Sequence, residues 1–593
     1  MRNFISSMLG ALAAMILFCV AGSALFIVLL IVISSMGEKH VSVEPGSYLV
    51  VDLSTNITDA PPVLDFGMLT GDAVEVIQLR NATKAIRSAA KDSRIDGVLI
   101  TGSLRPDGLG SGYAALAEMR EALSDFKTSG KPIHAYLTYA STRDYYLASV
   151  AGDVALNPFG VIIMPGLATE PVFFANAFER FGIGVQVTRV GKYKSAVEPF
   201  IRDDLSAENR LQLQSLLNDI WTGLISDVAA SRDLTVAAIQ GVVDAEGLIR
   251  ADKAKDAGLI DRIIYQDEIL DELKLATGRN GTELPFKQIS LREYAAVAPD
   301  PGGYGTGRIA VVYAEGDIVD GEGEWTQVGG DRFARELRKL RQDDKVKAIV
   351  LRVNSPGGSA TASEVIQREM RLAAMEKPVV VSMGSYAASG GYWVSTYSDR
   401  IFAEPTTITG SIGVFGIVFD VKELAGNIGI NFDSVKTGRF ADALSISRPK
   451  TDAELAVLQR SIDWIYEQFI EKVAESRHLD RSVVEEIAQG RVWSGSEALK
   501  LGLVDELGSL NAAIRYAAEQ ADLGGGYRVT EFPRRKELGE AIAELLQRLQ
   551  PAGARSGIYS DLLRRMEMEL KTLNAYNDPQ GIYARLPINL TFR

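Results

Sequence analysis

Residues Val380–Thr396 read VVSMGSYAASGGYWVST, and this pattern predicts a buried strand, a turn of small residues and the start of a helix. The apolar run ends at Met383, and apolar residues resume at Tyr392–Val394. Small residues let a backbone approach another group closely, and a helix N-terminus offers unpaired N–H groups to an anion. Ser389 stands where a nucleophile would stand. The alternative is a tight turn whose serine only caps the helix.

The composition limits the chemistry that this chain can perform. Its 593 residues, 47% of them apolar and 23% charged, indicate roughly three or four folded units. A net charge of −13 argues against a nucleic-acid partner. The single cysteine, Cys19, excludes an intrachain disulfide and a thiolate metal site. His40, His134 and His478 are too dispersed to favour a zinc site or a Ser-His-Asp triad, so we predict no metal and no cofactor.

The N-terminal segment Met8–Met36 contains no charged residue. As a helix it would span ~43 Å, against ~30 Å of membrane hydrocarbon. A cleaved signal peptide is the alternative, because Ala21–Ala24 resembles a processing site. The apolar run Leu25–Ile33 continues beyond that site, however, and favours an uncleaved anchor. Arg2 precedes the span, which predicts a cytoplasmic N-terminus and places the bulk of the chain on the other side.

The rest of the chain contains a tandem duplication. LVVDLSTNITDA at Leu49–Ala60 resembles AVVYAEGDIVDG at Ala310–Gly321, and AGLID at Ala257–Asp261 resembles LGLVD at Leu501–Asp505. The offset falls slowly, from 310 − 49 = 261 to 501 − 257 = 244, as a few insertions in the first copy would produce. We therefore predict an N-terminal transmembrane anchor (1–40), a first repeat (41–297), a linker (298–307), a second repeat (308–525) and a helical C-terminal tail (526–593).

Each repeat alternates apolar runs with amphipathic segments, which predicts an α/β fold with a mostly parallel sheet. In the second repeat we expect strands at Arg308–Tyr313, Ala348–Val353 and Pro378–Met383, and helices at Arg332–Arg341 and Ala360–Met375. The tail is predicted to form two surface or partner-contacting helices without chemistry of their own, Glu537–Leu549 and Tyr559–Leu573.

The two repeats carry complementary halves of a site. Ser389 corresponds to Thr142 (389 − 247), so the first repeat has lost the serine and its glycines. Lys194 corresponds to Arg439 (439 − 245) in the second repeat. A lysine whose pKa falls from ~10.4 to ~7, at a cost of roughly 4 kcal/mol, can act as a base, whereas arginine stays protonated. We infer a composite Ser-Lys site; the alternative for Lys194 is a surface lysine beside Lys192.

Four motifs in this order resemble the long, duplicated form of signal peptide peptidase A (protease IV), a family of the ClpP/crotonase superfamily. They are KYKSAVEPFIRDDLS (Lys192–Ser206), NSPGGS (Asn354–Ser359), AASGGYW (Ala387–Trp393) and TGSIGVFG (Thr409–Gly416). The resemblance covers nearly the whole chain and implies two ClpP/crotonase-like repeats.

The resemblance also implies a role for individual residues. Ser389 matches the nucleophile, Lys194 the general base and Ser411 a serine that orients the lysine, although a loop hydroxyl is the plainer interpretation of Ser411. Backbone N–H groups of Gly390 and of Gly357 or Gly358 would bind the oxyanion, a task that glycine suits because it has no Cβ.

The family implies a membrane-anchored serine endopeptidase, a homotetramer in the bacterial inner membrane with its catalytic part in the periplasm. Its substrates would be cleaved signal peptides and other hydrophobic peptides. The alternative is a crotonase-like acyl-CoA hydratase or hydrolase, because the same glycines would serve a thioester. The predicted periplasmic location and the lack of a carboxylate in AASGGYW argue against it. A non-catalytic scaffold is a third possibility, but it would not explain why the losses in the two repeats are complementary.

Overall fold

The computed structural model describes residues 41–61, 76–104, 111–298 and 307–533, together with residues 576, 578 and 582–586. The predicted anchor Met8–Met36 and the predicted tail helices Glu537–Leu549 and Tyr559–Leu573 lie outside these residues. Among the helices that the structure describes, none has the length and apolar character needed to span a membrane.

The first repeat alternates strands and helices along most of its length. Its strands are β1 Ser47–Asp52, β2 Asn56–Thr58, β3 Val76–Gln78, β4 Ile95–Thr101, β5 Ile133–Leu137, β6 Ala140–Ser141, β7 Asp153–Leu156, β8 Val161–Ile163, β9 Gly184–Arg189, β10 Leu248–Arg250, β11 Arg262–Ile263 and β12 Gln288–Ser290. Its helices are α1 Leu79–Lys91, α2 Tyr113–Lys127, α3 Thr142–Ala148, α4 Ala175–Phe181, α5 Glu198–Ile201, α6 Ala207–Arg232, α7 Val236–Glu246, α8 Ala251–Asp256, α9 Gln266–Ala276 and α10 Leu291–Val297.

The second repeat follows the same order, and two strands of the tail join it. Its strands are β13 Gly307–Glu315, β14 Ile318–Val319, β15 Val328–Gly329, β16 Val346–Ser355, β17 Gly357–Ser359, β18 Val379–Ala388, β19 Arg400–Ala403, β20 Ile408–Gly410, β21 Phe415–Asp420, β22 Val492–Ser494, β23 Glu506–Leu507, β24 Tyr527–Phe532 and β25 Ile582–Arg585. Its helices are α11 Gly330–Gln342, α12 Ala360–Ala374, α13 Gly390–Ser395, α14 Lys422–Asn427, α15 Asp452–Arg477, α16 Arg481–Ile487, α17 Gly495–Lys500 and α18 Leu510–Gln520.

Each repeat is built on a mostly parallel sheet, as predicted. The first sheet has the order β11-β7-β5-β4-β1-β12, and its strands are all parallel. The second has the order β22-β20-β18-β16-β13-β24, in which β22 alone is antiparallel to its neighbour. The long helices α6 and α15 each have 26 residues and start 452 − 207 = 245 positions apart. The structure thus confirms the duplicated α/β fold.

Both faces of the central strands are covered, which explains their almost continuous apolar sequences. Strand β16 is buried along nearly its whole length, and so is β18. Strand β18 also continues to Ala388, five residues beyond the predicted end at Met383, because its last residues pair with β20. The small residues before Ser389 are therefore the end of a strand, and the turn begins at Ser389 itself.

A third sheet connects the two repeats and the tail, in the order β15-β14-β17-β25-β21-β9. Strand β9 of the first repeat pairs along its whole length with β21 of the second. Strand β25 of the tail lies between β17 and β21 and is antiparallel to both. The described residues of the tail include two strands, β24 and β25, which we did not predict and which lie outside the two predicted tail helices. A four-residue strand carries little side-chain pattern, because its position depends on backbone pairing with distant strands.

Candidate active site

Ser389 occupies a strained turn between β18 and α13. Its backbone has φ 56° and ψ −110°, a conformation that costs a non-glycine residue on the order of 1–3 kcal/mol. The Ser389 N–H donates to the Gly410 carbonyl at 2.8 Å, and its carbonyl accepts from the Trp393 N–H at 2.8 Å. The side chain makes no capping hydrogen bond to the helix. The capped-turn alternative is therefore wrong, and the hydroxyl is available for another partner.

Lys194 meets that hydroxyl from the other repeat. The lysine lies in the loop between β9 and α5, and its side chain is 0% exposed. Its Nζ is 2.7 Å from Ser389 Oγ, 3.0 Å from Ser411 Oγ and 3.1 Å from the Ser411 carbonyl oxygen. The surface-lysine alternative is therefore wrong. The structure places the Lys194 amine in contact with both predicted serines, Ser389 and Ser411.

Burial lowers the pKa of Lys194 well below its usual value, because the ammonium form loses its hydration. The neutral amine fits its surroundings. Its two N–H groups can donate to the hydroxyl and carbonyl oxygens of Ser411, which leaves the lone pair directed at the Ser389 hydroxyl. This arrangement is what a general base needs before it accepts a proton.

Glycine at position 490 allows the lysine loop to approach the second repeat, a feature that we did not predict from the sequence. Gly490 has φ 78°, and a Cβ on it would lie 2.6 Å from Lys194 Cβ. The neighbouring Tyr193 N–H donates to the Gln489 carbonyl at 3.0 Å. Ser411 also has a positive φ, 50°, and its N–H donates to the Arg491 carbonyl at 2.7 Å. Residues 489–491, which precede β22, therefore contact both the loop that carries Lys194 and the backbone of Ser411.

The glycines predicted for the oxyanion lie together beside the serine. Gly357 has φ 96° and Gly358 has φ 155°. A Cβ on Gly357 would lie 2.7 Å from the Gly390 nitrogen, so the two segments touch through their backbones. The Gly357 N–H donates to Ser355 Oγ at 3.2 Å. Any larger residue here would separate the two backbones.

The tail strand β25 forms one wall of this site, which sequence reasoning missed. Gly357 and Gly358 lie opposite Arg585 and Ala584 in the β17–β25 ladder. The Leu586 N–H donates to the Pro356 carbonyl at 2.7 Å. Ring centroids of Tyr583 and Phe415 are 5.9 Å apart, so side chains of the tail also pack beside β21. A sequence signal was weak here, because the contact spans more than 200 residues.

Among the residues that the structure describes, no group of three or more histidine, cysteine or carboxylate side chains is placed to bind a metal ion. A serine hydroxyl on a strained strand-to-helix turn, a buried lysine and a backbone pocket made of glycines are the features of a serine hydrolase.

Comparison with known proteins narrows this class. The chain belongs to Peptidase family S49, whose profile matches residues 125–279 and 371–524, once in each repeat. A Clp protease profile also matches residues 312–408. The chain is therefore a serine protease, and its substrates contain peptide bonds.

Relatives match over most of the chain. Protease 4 of Salmonella typhi is 36% identical over 564 residues, which cover 90% of this chain and 89% of that protein. Protease 4 of Haemophilus influenzae is 33% identical, with 95% and 94% coverage. Serine protease SPPA, chloroplastic, of Arabidopsis thaliana is 33% identical and covers 82% of this chain and 71% of that protein.

Proposed function

We propose that this protein is an endopeptidase with one composite active site per chain, in which Ser389 is the nucleophile and Lys194 the general base. The distance of 2.7 Å between Lys194 Nζ and Ser389 Oγ carries this proposal, because the two atoms belong to different repeats and are both fully buried. Ser411 orients the amine through its two oxygens.

The reaction proceeds by acyl transfer. Lys194 accepts the Ser389 proton as Oγ attacks the scissile carbonyl carbon, and the resulting ammonium then protonates the leaving amine. A water molecule then attacks the ester carbonyl as it loses a proton to Lys194, and the ammonium returns this proton to Ser389 Oγ as the acyl–oxygen bond breaks, which restores both groups. In both acylation and deacylation, N–H groups of Gly390 and of the Gly357–Gly358 segment stabilise the oxyanion. In other serine proteases the loss of one such donor lowers kcat by roughly 10²–10³-fold.

The dyad is tested by Ser389→Ala and Lys194→Met, each assayed with an apolar peptide in detergent. We expect either change to lower kcat/KM by roughly 10³-fold or more, since the two groups act as a unit. Lys192→Met is the matched control, two residues from the base, and should leave the rate unchanged. Full activity of either dyad variant would refute the proposal.

The proposed substrates are cleaved signal peptides and other hydrophobic peptides at the bacterial inner membrane. The sequence resemblance and the uncharged segment Met8–Met36 support this, with the catalytic part in the periplasm. A protease added to intact spheroplasts should digest the bulk of the chain. Protection of the chain until the membrane is lysed would contradict the proposed orientation.

We further propose a homotetramer, in which segment 428–446 of each chain docks on the first repeat of the next. The counterpart of this segment in the first repeat, 183–201, contains β9 and is covered by β21 of the same chain. Segment 428–446 has no such cover within the described residues and exposes large apolar side chains; they are Ile428, Ile430, Phe432, Val435, Phe440, Leu444 and Ile446. A repeated head-to-tail contact closes a ring of four when neighbouring chains are related by a rotation of 90°.

The tetramer is tested by light scattering of the detergent-solubilised enzyme. We expect a protein mass of four times the 64.2 kDa chain, and a lower mass for V435D/L444D. Met375→Asp changes an exposed apolar residue of the second repeat outside segment 428–446; it is the control and should keep the tetramer. An unchanged mass in the double variant would refute this interface.

A further inference from the structure

Gln212 is a buried polar residue close to the lysine loop, to which neither the motifs nor the proposed reaction assigns a role. It lies in the second turn of α6 and is 1% exposed. Its Nε2 is within hydrogen-bond distance of three acceptors: the Tyr193 carbonyl at 3.1 Å, Ser195 Oγ at 3.1 Å and Asn209 Oδ1 at 3.0 Å. Two of these acceptors belong to the residues on either side of Lys194.

The other end of the same amide reaches the second repeat. Gln212 Oε1 accepts the Val492 N–H at 3.2 Å. Val492 is paired with Gly410 across β22 and β20, and the Gly410 carbonyl accepts the Ser389 N–H. One side chain therefore connects the loop that carries the lysine with β22, whose partner β20 leads into Ser411 and accepts the Ser389 N–H.

We propose that Gln212 is a positioning residue that sets Lys194 against Ser389 and Ser411; this inference rests on the proposed Ser-Lys function. The lysine and the serines belong to different repeats, so their distance depends on how the repeats are held together. A shift of about 1 Å can cost roughly 10²-fold in rate. At the corresponding position of α15, 212 + 245, the chain has Val457, which has no amide to donate, and the second repeat has no base to hold.

The test uses two substitutions of similar size in the full-length enzyme. Gln212→Met removes every hydrogen bond of the side chain, and we expect kcat to fall roughly 10- to 100-fold with little change in KM. Because the loosened loop admits water, the acid limb of the pH–rate profile should move to higher pH. Gln212→Glu adds a negative charge near the base, so the limb should move further in the same direction.

Gln214→Met is the matched control. Gln214 is exposed on the same helix and donates to Asn218, so its substitution should leave both kcat and the pH profile unchanged. If both Gln212 variants fold and keep the wild-type kcat and acid limb while Lys194→Met is inactive, the positioning role is wrong and the dyad stands. An active Lys194→Met would instead refute the proposed function. A lower melting temperature with an unmoved acid limb would assign Gln212 a structural role only and would overturn the inference. If Gln212→Met fails to fold, the acid limb of Gln212→Glu decides.

Discussion

The same strand-to-helix turn is built twice in this chain, and the two versions treat their hydroxyl groups differently. In the second repeat Ser389 has a positive φ and makes no cap, so its hydroxyl faces Lys194. In the first repeat Ser141 caps α3 and forms a capping box with Asp144. Thr142, the counterpart of Ser389, is already the first residue of the helix. The first repeat thus has a relaxed and capped turn where the second has a strained turn with an uncapped hydroxyl.

In the first repeat, the side chain of Asp144 fills the space at the turn. Its buried carboxylate accepts hydrogen bonds from the Leu104 N–H at 2.6 Å, from Ser103 Oγ at 2.9 Å and from the Ser141 N–H at 2.8 Å. The counterpart of Asp144 in the second repeat is Gly391 (144 + 247), which has no carboxylate to accept such hydrogen bonds. A carboxylate of the chain itself therefore fills the turn of the first repeat.

Lys194 and its counterpart Arg439 provide the sharpest test of this difference between the two repeats. Lys194→Arg keeps a long cationic side chain but cannot supply a neutral nitrogen, because arginine stays protonated. We expect kcat/KM to fall roughly 10³-fold or more, as for Lys194→Met. The counterpart change, Arg439→Lys, lies in the proposed docking segment, is exposed on the single chain and keeps the positive charge, so it should leave the rate unchanged. Appreciable activity in Lys194→Arg would show that the site needs only a positive charge.

The pH dependence distinguishes the buried lysine from an ordinary one. With Lys194 as the proposed general base, the reaction needs its neutral form, so kcat/KM should fall about tenfold per pH unit below the pKa of Lys194, which burial lowers. The acid limb should therefore lie well below pH 10.5. A limb at the ordinary lysine value would contradict the effect of burial on this group.

The same ionisation affects stability. Between the folded pKa of Lys194 and its unfolded value, the unfolded chain binds one proton more, so the free energy of unfolding rises with pH by up to about 1.4 kcal/mol per unit. Lys194→Met should remove this slope and stabilise the protein at neutral pH. Lys192→Met, at the neighbouring lysine, should retain the slope in urea unfolding measured across pH.

Much of this fold was predictable because local and repeated patterns encode it. Residues 380–396 predicted a strand, a turn and a helix, and the ordered resemblances predicted the duplication that the structure confirms. Strand β25, Gly490 and Gln212 were missed, since each acts through contacts with distant parts of the chain that leave no periodic pattern. The extra length of β18 was missed for the same reason, because pairing with β20 keeps small residues in a strand.

Asp144→Asn measures what the closed turn contributes. Asparagine offers one acceptor oxygen and an NH₂ group, so some of the buried donors around Asp144 lose their partner. We expect the free energy of unfolding to fall by about 1–3 kcal/mol, with kcat/KM of the folded enzyme unchanged. Asp125→Asn breaks an exposed ion pair with Arg87 and should cost about 0–1 kcal/mol in the same urea titration. A loss of activity comparable to that of Ser389→Ala would mean that the first turn takes part in catalysis.

Thr142→Ser gives the first repeat the residue type of the proposed nucleophile, and we expect the activity to change little. A hydroxyl at position 142 would belong to a helical residue and would face the carbonyl of Ile163, whereas Lys194 contacts Ser389. Titration with a serine-directed acylating probe should therefore label one site per chain in both the wild type and Thr142→Ser. Labelling of the double variant Thr142→Ser/Ser389→Ala, with no labelling of Ser389→Ala alone, would show that the turn of the first repeat can still activate a serine. If the double variant is not labelled, the difference in reactivity between the two repeats depends on the strained backbone and the buried lysine and not on the hydroxyl alone.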